Sequence, residues 1–139
     1  MTTTIDVLGG RAALRKDIRS DLQLEWLIRE GLPVAAFEAM ARRTAFGRDE
    51  LERIVSRRTL GRLGGSRRLT PETSARLARF ARVWALAEET FQDRVKARGW
   101  FFDGIPGLGG ETPFRMLETE SGARLVEKEL IRLAHGVFS

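Results

Sequence analysis

Apolar residues recur at helical spacing along most of this chain, and that periodicity constrains the fold more than any other feature. The clearest case follows Thr70, a good N-cap residue, and Pro71, a first-turn proline. Beyond them, Leu77, Trp84 and Phe91 share one apolar stripe. No segment of useful length alternates polar and apolar residues as a half-buried strand would. The sequence therefore predicts an all-α fold.

Helix ends are marked by residues that cap or interrupt backbone hydrogen bonding. The other predicted N-caps are Ser20, Ser56, Asp93 and Ser121. Pro33 opens a further helix, and the glycine-rich residues 64–66 end the helix that Ser56 caps. Two short helices, 48–55 and 57–63, meet at Ser56, and the last predicted helix ends at Gly136.

Charge and helix breakers divide the chain into four predicted segments. Residues 1–69 hold 14 basic and 9 acidic groups, whereas residues 70–139 hold 10 of each, so the net charge belongs to the first half. The segments are a flexible leader (1–15), a helix-turn-helix domain (16–69), a long connecting helix (70–90) and a second small helical domain (91–139). Because helix-turn-helix proteins usually read two half-sites, we expect a homodimer. Its predicted surface is the helix Arg76–Glu89 with its Trp84.

Composition excludes several classes of function. The chain has no cysteine and one histidine, His135, so it lacks a Cys–His pair and a cluster of imidazole ligands. Glu88 and Glu89 are adjacent on a helix and point in different directions, which makes a poor catalytic pair. We therefore expect no enzymatic activity, no cofactor and no metal. No apolar run approaches the ~18 residues of a membrane span, and the start does not resemble a signal peptide, so the cytoplasm is the predicted compartment.

Positive charge is concentrated in one block between residues 53 and 82. The block contains one acid and nine arginines: Arg53, Arg57, Arg58, Arg62, Arg67, Arg68, Arg76, Arg79 and Arg82. Its charge is +8, whereas the whole chain is +5, so the rest sums to −3. Such a block suits a polyanion, because neutralising phosphates releases counterions. A general bias of the coding sequence toward arginine would explain the scarcity of lysine but not the scarcity of acids here.

The two short helices around Ser56 match a helix-turn-helix, in which the second helix presents its N-terminal side chains to the major groove. The predicted DNA-binding residues are Ser56, Arg57, Arg58, Thr59, Arg62, Arg67 and Arg68. Arg57 or Arg58 would read guanine, because a guanidinium reaches two acceptors at once. Arg67 and Arg68 would contact phosphates. Gly61 has two interpretations: it permits close approach to DNA, or the helix ends there.

The second half contains short motifs in a characteristic order. They are Phe91-Gln92-Asp93, Lys96-Ala97, Trp100-Phe101, Leu108-Gly109-Gly110-Glu111-Thr112-Pro113, Leu117, Thr119-Glu120, Gly122, Val126, Leu130 and His135-Gly136-Val137. This arrangement resembles the toxin-binding domain of the Xre/MbcA/ParS-type antitoxins, the partners of RES-domain or ParT-like toxins. Arg58-Thr59-Leu60 and Arg68-Leu69-Thr70 are similar to the Xre-like helix-turn-helix of the same family. The resemblance covers about residues 31–137.

The resemblance implies an antitoxin that neutralises a co-encoded toxin and binds the promoter of its own operon. Toxins of this group consume NAD or transfer ADP-ribose from it, and the C-terminal region of the antitoxin obstructs their active site. The toxin-binding residues so implied are Trp100, Leu108, Gly109, Gly110, Thr112, Pro113, Arg132, His135, Gly136, Val137, Phe138 and Ser139. A carboxylate at Ser139 would act as an anionic plug in a basic cleft. The sequence departs from the family pattern at Phe101-Phe102 and at residues 103–106, which bears on toxin specificity.

Alternative interpretations remain for the second half. Trp100 is a core residue or a contact residue, and His135 serves structure or an interface at a helix C-terminus rather than catalysis. The whole chain has an alternative as well: a stand-alone helix-turn-helix regulator whose second half dimerises or senses a ligand.

Overall fold

The computed structural model describes residues 1–136, and within that range the chain is helical, which confirms the all-α prediction. The helices are α1 (Thr4–Val7), α2 (Gly10–Leu14), α3 (Asp21–Glu30), α4 (Val34–Thr44), α5 (Arg48–Ile54), α6 (Arg57–Gly61), α7 (Pro71–Phe91), α8 (Arg94–Phe101), a 3-10 turn (Pro106–Leu108), α9 (Pro113–Met116) and α10 (Glu120–Gly136). None of these helices combines the length and hydrophobicity that crossing a membrane requires.

Most helix starts follow the capping rules that the sequence suggested. Ser20, Ser56 and Thr70 each accept a hydrogen bond from the backbone N–H three residues later. The Asp93 side chain accepts from two amides at the start of α8. The predicted cap at Ser121 is wrong. The last helix already begins at Glu120, before Ser121, and the Thr119 hydroxyl accepts the Gly122 N–H at 3.0 Å.

The prediction of a flexible leader at residues 1–15 is also wrong. Val7, Leu8 and Leu14 are completely buried, so this segment contributes to the core. A capping box at Thr3 starts α1, which is only four residues long. Such short helices show too few turns for periodicity to reveal them, and their stability comes from tertiary packing. The N-terminal segment is therefore a structural part of the fold.

Helix α7 lies at the centre of the molecule rather than connecting two separate cores. It packs against α1, α3, α8 and α10, and one continuous hydrophobic cluster includes buried residues from both halves of the chain. Trp84 has no exposed surface. The predicted dimer surface around Trp84 is therefore wrong, because its indole is already used in the core of a single chain.

Phe46, in the turn between α4 and α5, connects the two halves through aromatic packing. Its ring lies edge-on to Trp84 at 5.4 Å and to Phe114 at 5.5 Å between centroids. Phe101 and Phe102 complete the surroundings of the ring at 5.9 and 5.5 Å. Edge-to-face aromatic pairs of this kind add about 0.5–1.5 kcal/mol each beyond burial of their area. The first half of the chain thus inserts a side chain into the core of the second.

Glu88 provides the polar counterpart of that junction. It is 8% exposed, and its carboxylate accepts two hydrogen bonds from Arg43 of α4, at 3.0 and 2.7 Å. The Thr2 hydroxyl, the Trp84 indole N–H and the Arg94 guanidinium also donate to it, at 2.8, 3.1 and 3.1 Å. Burial opposes the charge, but the hydrogen bonds from Arg43, Thr2 and Trp84 outweigh it and lower the pKa of Glu88 to about 2. One carboxylate therefore joins the N-terminus, α4, α7 and α8.

Candidate nucleic-acid and protein interfaces

The helix-turn-helix forms where the sequence predicts it, with α5 and α6 separated by Val55 and Ser56. The Ser56 hydroxyl accepts the Thr59 N–H at 3.0 Å and donates to the Thr59 hydroxyl at 2.9 Å. These two predicted DNA-binding residues therefore also hold the start of α6. The helix ends at Gly61, where an added Cβ would meet no atom within 4 Å. The short-helix interpretation of Gly61 is confirmed.

Three of the arginines predicted to bind DNA lie on α6 or directly after it. Arg57, Arg58 and Arg62 are all exposed. Arg57 lies near Glu52, with its backbone N–H 2.9 Å and its Nε 3.7 Å from a carboxylate oxygen. Arg58 and Arg62 make no ion pair or hydrogen bond with any other side chain in residues 1–136. They are the guanidinium groups that this surface offers to an incoming anion.

The two arginines of the following loop differ from each other. Arg67 is exposed and has a left-handed backbone, with φ 53°, and its carbonyl accepts the Val34 N–H at 2.9 Å. Arg68 is half-buried and donates to the Gly31 carbonyl at 2.7 Å. One guanidinium nitrogen of Arg68 thus attaches the loop to the end of α3, and the phosphate contact expected of this residue stays a prediction.

The arginine block as a whole does not form one cationic surface. Arg53 pairs with Glu118 at 2.9 Å, and Arg79 donates to the Leu117 and Glu118 carbonyls at 2.8 and 2.9 Å. Arg82 donates to Glu120 and Glu127 of α10, at 2.7 and 3.2 Å. Burial lowers the pKa of Arg79, although a guanidinium stays charged at physiological pH. Arg53 therefore joins the first half of the chain to the second, whereas Arg79 and Arg82 attach α7 to the start of α10 and the residues before it.

A groove in the second half brings together three of the predicted toxin-binding residues. Trp100 of α8 forms one wall, and Arg132 and Gly136 of α10 belong to the other. The volume of the groove is about 640 Å³. Residues that the sequence prediction missed also line it: Ile105, Pro106, Gly107, Glu129 and Leu133. Helical spacing carries the missed signal for α10, because positions 129, 132, 133 and 136 share one face.

Trp100 is both a packing residue and a groove residue, so the two alternatives for it are compatible. It is half-buried, and its ring packs against Phe91 and Phe101, with both centroid distances at 5.9 Å. The groove lining is polar where Arg132 pairs with Glu129 at 3.2 Å. Gly107 approaches that pair so closely that a Cβ there would collide with the Glu129 carboxylate. A larger residue at position 107 would displace Glu129.

The other residues predicted to bind a toxin fall into four groups. Leu108 is 9% exposed and Pro113 is buried, so the prediction that they contact a partner needs correction: their side chains serve the core. Gly109 and Gly110 form an exposed turn with φ of 67° and 85°, and Thr112 caps α9. His135 is exposed on the last turn of α10. Val137, Phe138 and Ser139 lie outside the described residues.

Two family models match successive parts of the chain. Residues 24–82 match the family model of the antitoxin Xre-like helix-turn-helix domain. Residues 86–136 match that of the antitoxin Xre/MbcA/ParS C-terminal toxin-binding domain. The boundary between the two matches lies inside α7, the helix that both halves share.

Three curated proteins named Antitoxin Xre are similar to most of the chain. The protein of Photorhabdus laumondii is 38% identical over 120 residues, which cover 84% of this chain and 81% of the relative. That of Yersinia enterocolitica is 46% identical over 87 residues, 62% of this chain and 59% of the relative. That of Pseudomonas putida is 31% identical over 121 residues, which cover 86% of this chain and 76% of the relative. These are antitoxins and not enzymes, and this chain belongs to the Xre family of antitoxins.

Proposed function

We propose that this antitoxin binds and neutralises a co-encoded toxin through the groove between Trp100 and α10. The observation that carries the proposal is that the groove lies within residues 86–136, the part that matches the toxin-binding family model. Its lining combines an aromatic ring, aliphatic side chains and an arginine. Tryptophan and arginine dominate binding energy in many protein interfaces.

The proposed toxin consumes NAD, as RES-domain toxins do, or transfers ADP-ribose, as ParT-like toxins do. Support comes from the family resemblance and from the end of α10. Residues 131–136 are all exposed, so the last turns of the helix extend beyond the core. We propose that this end, with Val137, Phe138 and Ser139, enters the toxin and obstructs its active site.

We propose further that the protein forms a homodimer in the cytoplasm. Its α6 helices would bind the promoter of the operon and so provide autoregulation. Support comes from the exposed guanidinium groups of Arg57, Arg58, Arg62 and Arg67 on and after a short presented helix. Arg58 and Arg62 have no acidic partner in residues 1–136 that would compete with DNA. The paired half-sites of helix-turn-helix operators motivate the dimer.

The toxin proposal is tested by co-expressing the chain with the protein of the adjacent gene. We expect the two to co-purify, and the neighbour to deplete cellular NAD, or to transfer ADP-ribose to a target, only when the antitoxin is absent. Deleting residues 137–139 should abolish rescue while leaving promoter binding intact. Full rescue by the truncated chain would refute obstruction by the tail. Failure of the neighbour to bind would refute the proposed partner.

The DNA proposal is tested by anisotropy titration of a labelled promoter fragment at increasing salt. If each protomer contacts about four phosphates, the slope of log affinity against log salt should lie near −7 for a dimer. A slope near zero would be incompatible with arginines acting on DNA. Light scattering of the free protein should give the mass of two chains, and a single-chain mass on and off DNA would exclude the dimer.

A further inference from the structure

The N-terminal segment brings an arginine to the loop that follows α6. Arg15 caps the end of α2 in a left-handed conformation, with φ 61°. Its neighbours on the core side, Ala13 and Leu14, are 7% and 0% exposed. The backbone of Arg15 is therefore held in place by packing, whereas its side chain is exposed. Arg15 also lies outside residues 24–82, the part that matches the helix-turn-helix family model.

Arg15 lies across a small hollow from the loop after α6. The hollow has a volume of about 110 Å³, and Arg15, Ser66, Arg67, Arg68 and Glu38 belong to its lining, along with the start of α4. Three arginines and one glutamate therefore share this lining. Arg68 already donates to the Gly31 carbonyl, but Arg15 and Arg67 make no ion pair in residues 1–136.

This arrangement favours an anion. Two like charges around one small hollow repel each other, and a carboxylate or phosphate between them turns that repulsion into attraction. Guanidinium groups suit phosphate because their planar fork donates two hydrogen bonds to two oxygens. Ser66, in the same lining, adds a hydroxyl donor of the kind that often contacts phosphates. Arg67 is itself one of the proposed DNA-binding residues, so the hollow is continuous with the proposed DNA-binding surface.

We propose that Arg15 and Arg67 together hold one backbone phosphate of operator DNA, so that the N-terminal segment extends the DNA footprint beyond the helix-turn-helix. The inference rests on the proposed promoter binding. A phosphate contact sets the register of the protein on the duplex and carries no sequence preference of its own. Arg15 would thus position α6, while the arginines of α6 contact base edges.

The experiment is an anisotropy titration of the full chain against the labelled promoter fragment and an unrelated fragment, over a salt series. Arg15→Ala should weaken binding to both fragments by about five- to tenfold and reduce the salt slope by about 1. Arg11→Ala is the matched control, because Arg11 is an exposed arginine of the same helix outside the hollow. It should change affinity by less than about twofold. Glu38→Gln, which removes the acid from the hollow, should tighten binding by about two- to threefold.

A second variant separates binding from folding. Arg15→Gly removes the guanidinium but suits a residue with positive φ, so it should preserve or raise Tm while weakening DNA binding as much as the alanine variant. Equal affinities of the Arg15 and Arg11 variants, with normal wild-type binding, would overturn this inference alone. Wild-type binding that does not depend on salt would instead overturn promoter binding itself, and this inference with it.

Discussion

Two pairs of arginines on either side of residue 69 have the same chemistry but different surroundings. Arg58 and Arg62, before that point, are exposed and have no acidic partner in residues 1–136. Arg79 and Arg82, after it, bind carbonyls and carboxylates of the second half. A dense run of positive charge in a sequence is therefore no measure of a cationic surface, because partners far away in sequence neutralise part of it. The variants below test how far the two groups of arginines differ and what joins the two halves of the chain.

The largest effect is expected at Glu88, where the two halves are joined. Glu88→Ala leaves the Arg43 guanidinium and the Trp84 indole N–H without their buried acceptor, so we expect a loss of about 3–5 kcal/mol in the free energy of unfolding. Urea unfolding followed by circular dichroism measures the loss. Glu89→Ala is the matched control, because Glu89 is adjacent and only half-buried. Similar losses in both variants would contradict a specific role for Glu88.

The same carboxylate predicts a pH dependence of stability. The pKa of Glu88 lies near 2 in the folded chain, against 4.5 for the free side chain. Its contribution to the free energy of unfolding is therefore complete above about pH 4.5 and disappears as the pH falls toward 2. This difference in pKa corresponds to roughly 3 kcal/mol of stability. Unfolding free energies of the wild type and of Glu88→Gln should converge over this acidic range. Parallel curves would show that Glu88 does not titrate as described.

Substitutions in the two groups of arginines should affect different quantities, stability in one group and promoter binding in the other. Arg79→Ala removes donors from the Leu117 and Glu118 carbonyls and should cost about 1–3 kcal/mol of stability. Arg58→Ala should leave stability within about 0.5 kcal/mol, yet cost about 1–3 kcal/mol of promoter binding if it reads a base. Thermal unfolding and anisotropy titration of both variants measure the two quantities. A stability loss for Arg58→Ala equal to that of Arg79→Ala would remove the distinction.

The local features of the fold could be predicted from the sequence, because capping and helical spacing act over a few residues. Ser20, Ser56 and Asp93 are examples, since each cap binds amides two or three positions away. The insertion of Phe46 among aromatic rings of the second half could not be predicted, because its partners are 38 or more residues away in sequence.

The candidate sites show the same limit. Arg58 and Arg62 remain exposed as predicted, since nothing elsewhere in the described chain reaches them. Arg68 looked equivalent in the sequence, but the pairing of its loop with the α3–α4 turn brings it to the Gly31 carbonyl. In the groove, Trp100 was predictable from the family motif. Ile105 was not, because the loop and α10 meet only in the folded chain, whereas Glu129 shares a helical face with Arg132.

The smallest effect is expected at Gly61, and it separates folding from DNA contact within α6. Gly61→Ala places a methyl group in open space at the last residue of the helix and should stabilise the chain by about 0.5–1 kcal/mol. If Gly61 also lets the helix approach DNA closely, the same variant should bind the promoter more weakly despite its higher Tm. Unchanged affinity would mean that the glycine only ends the helix. The matched control is Gly64→Ala, because Gly64 also lies in open space but beyond the helix, where alanine gains no helical stabilisation.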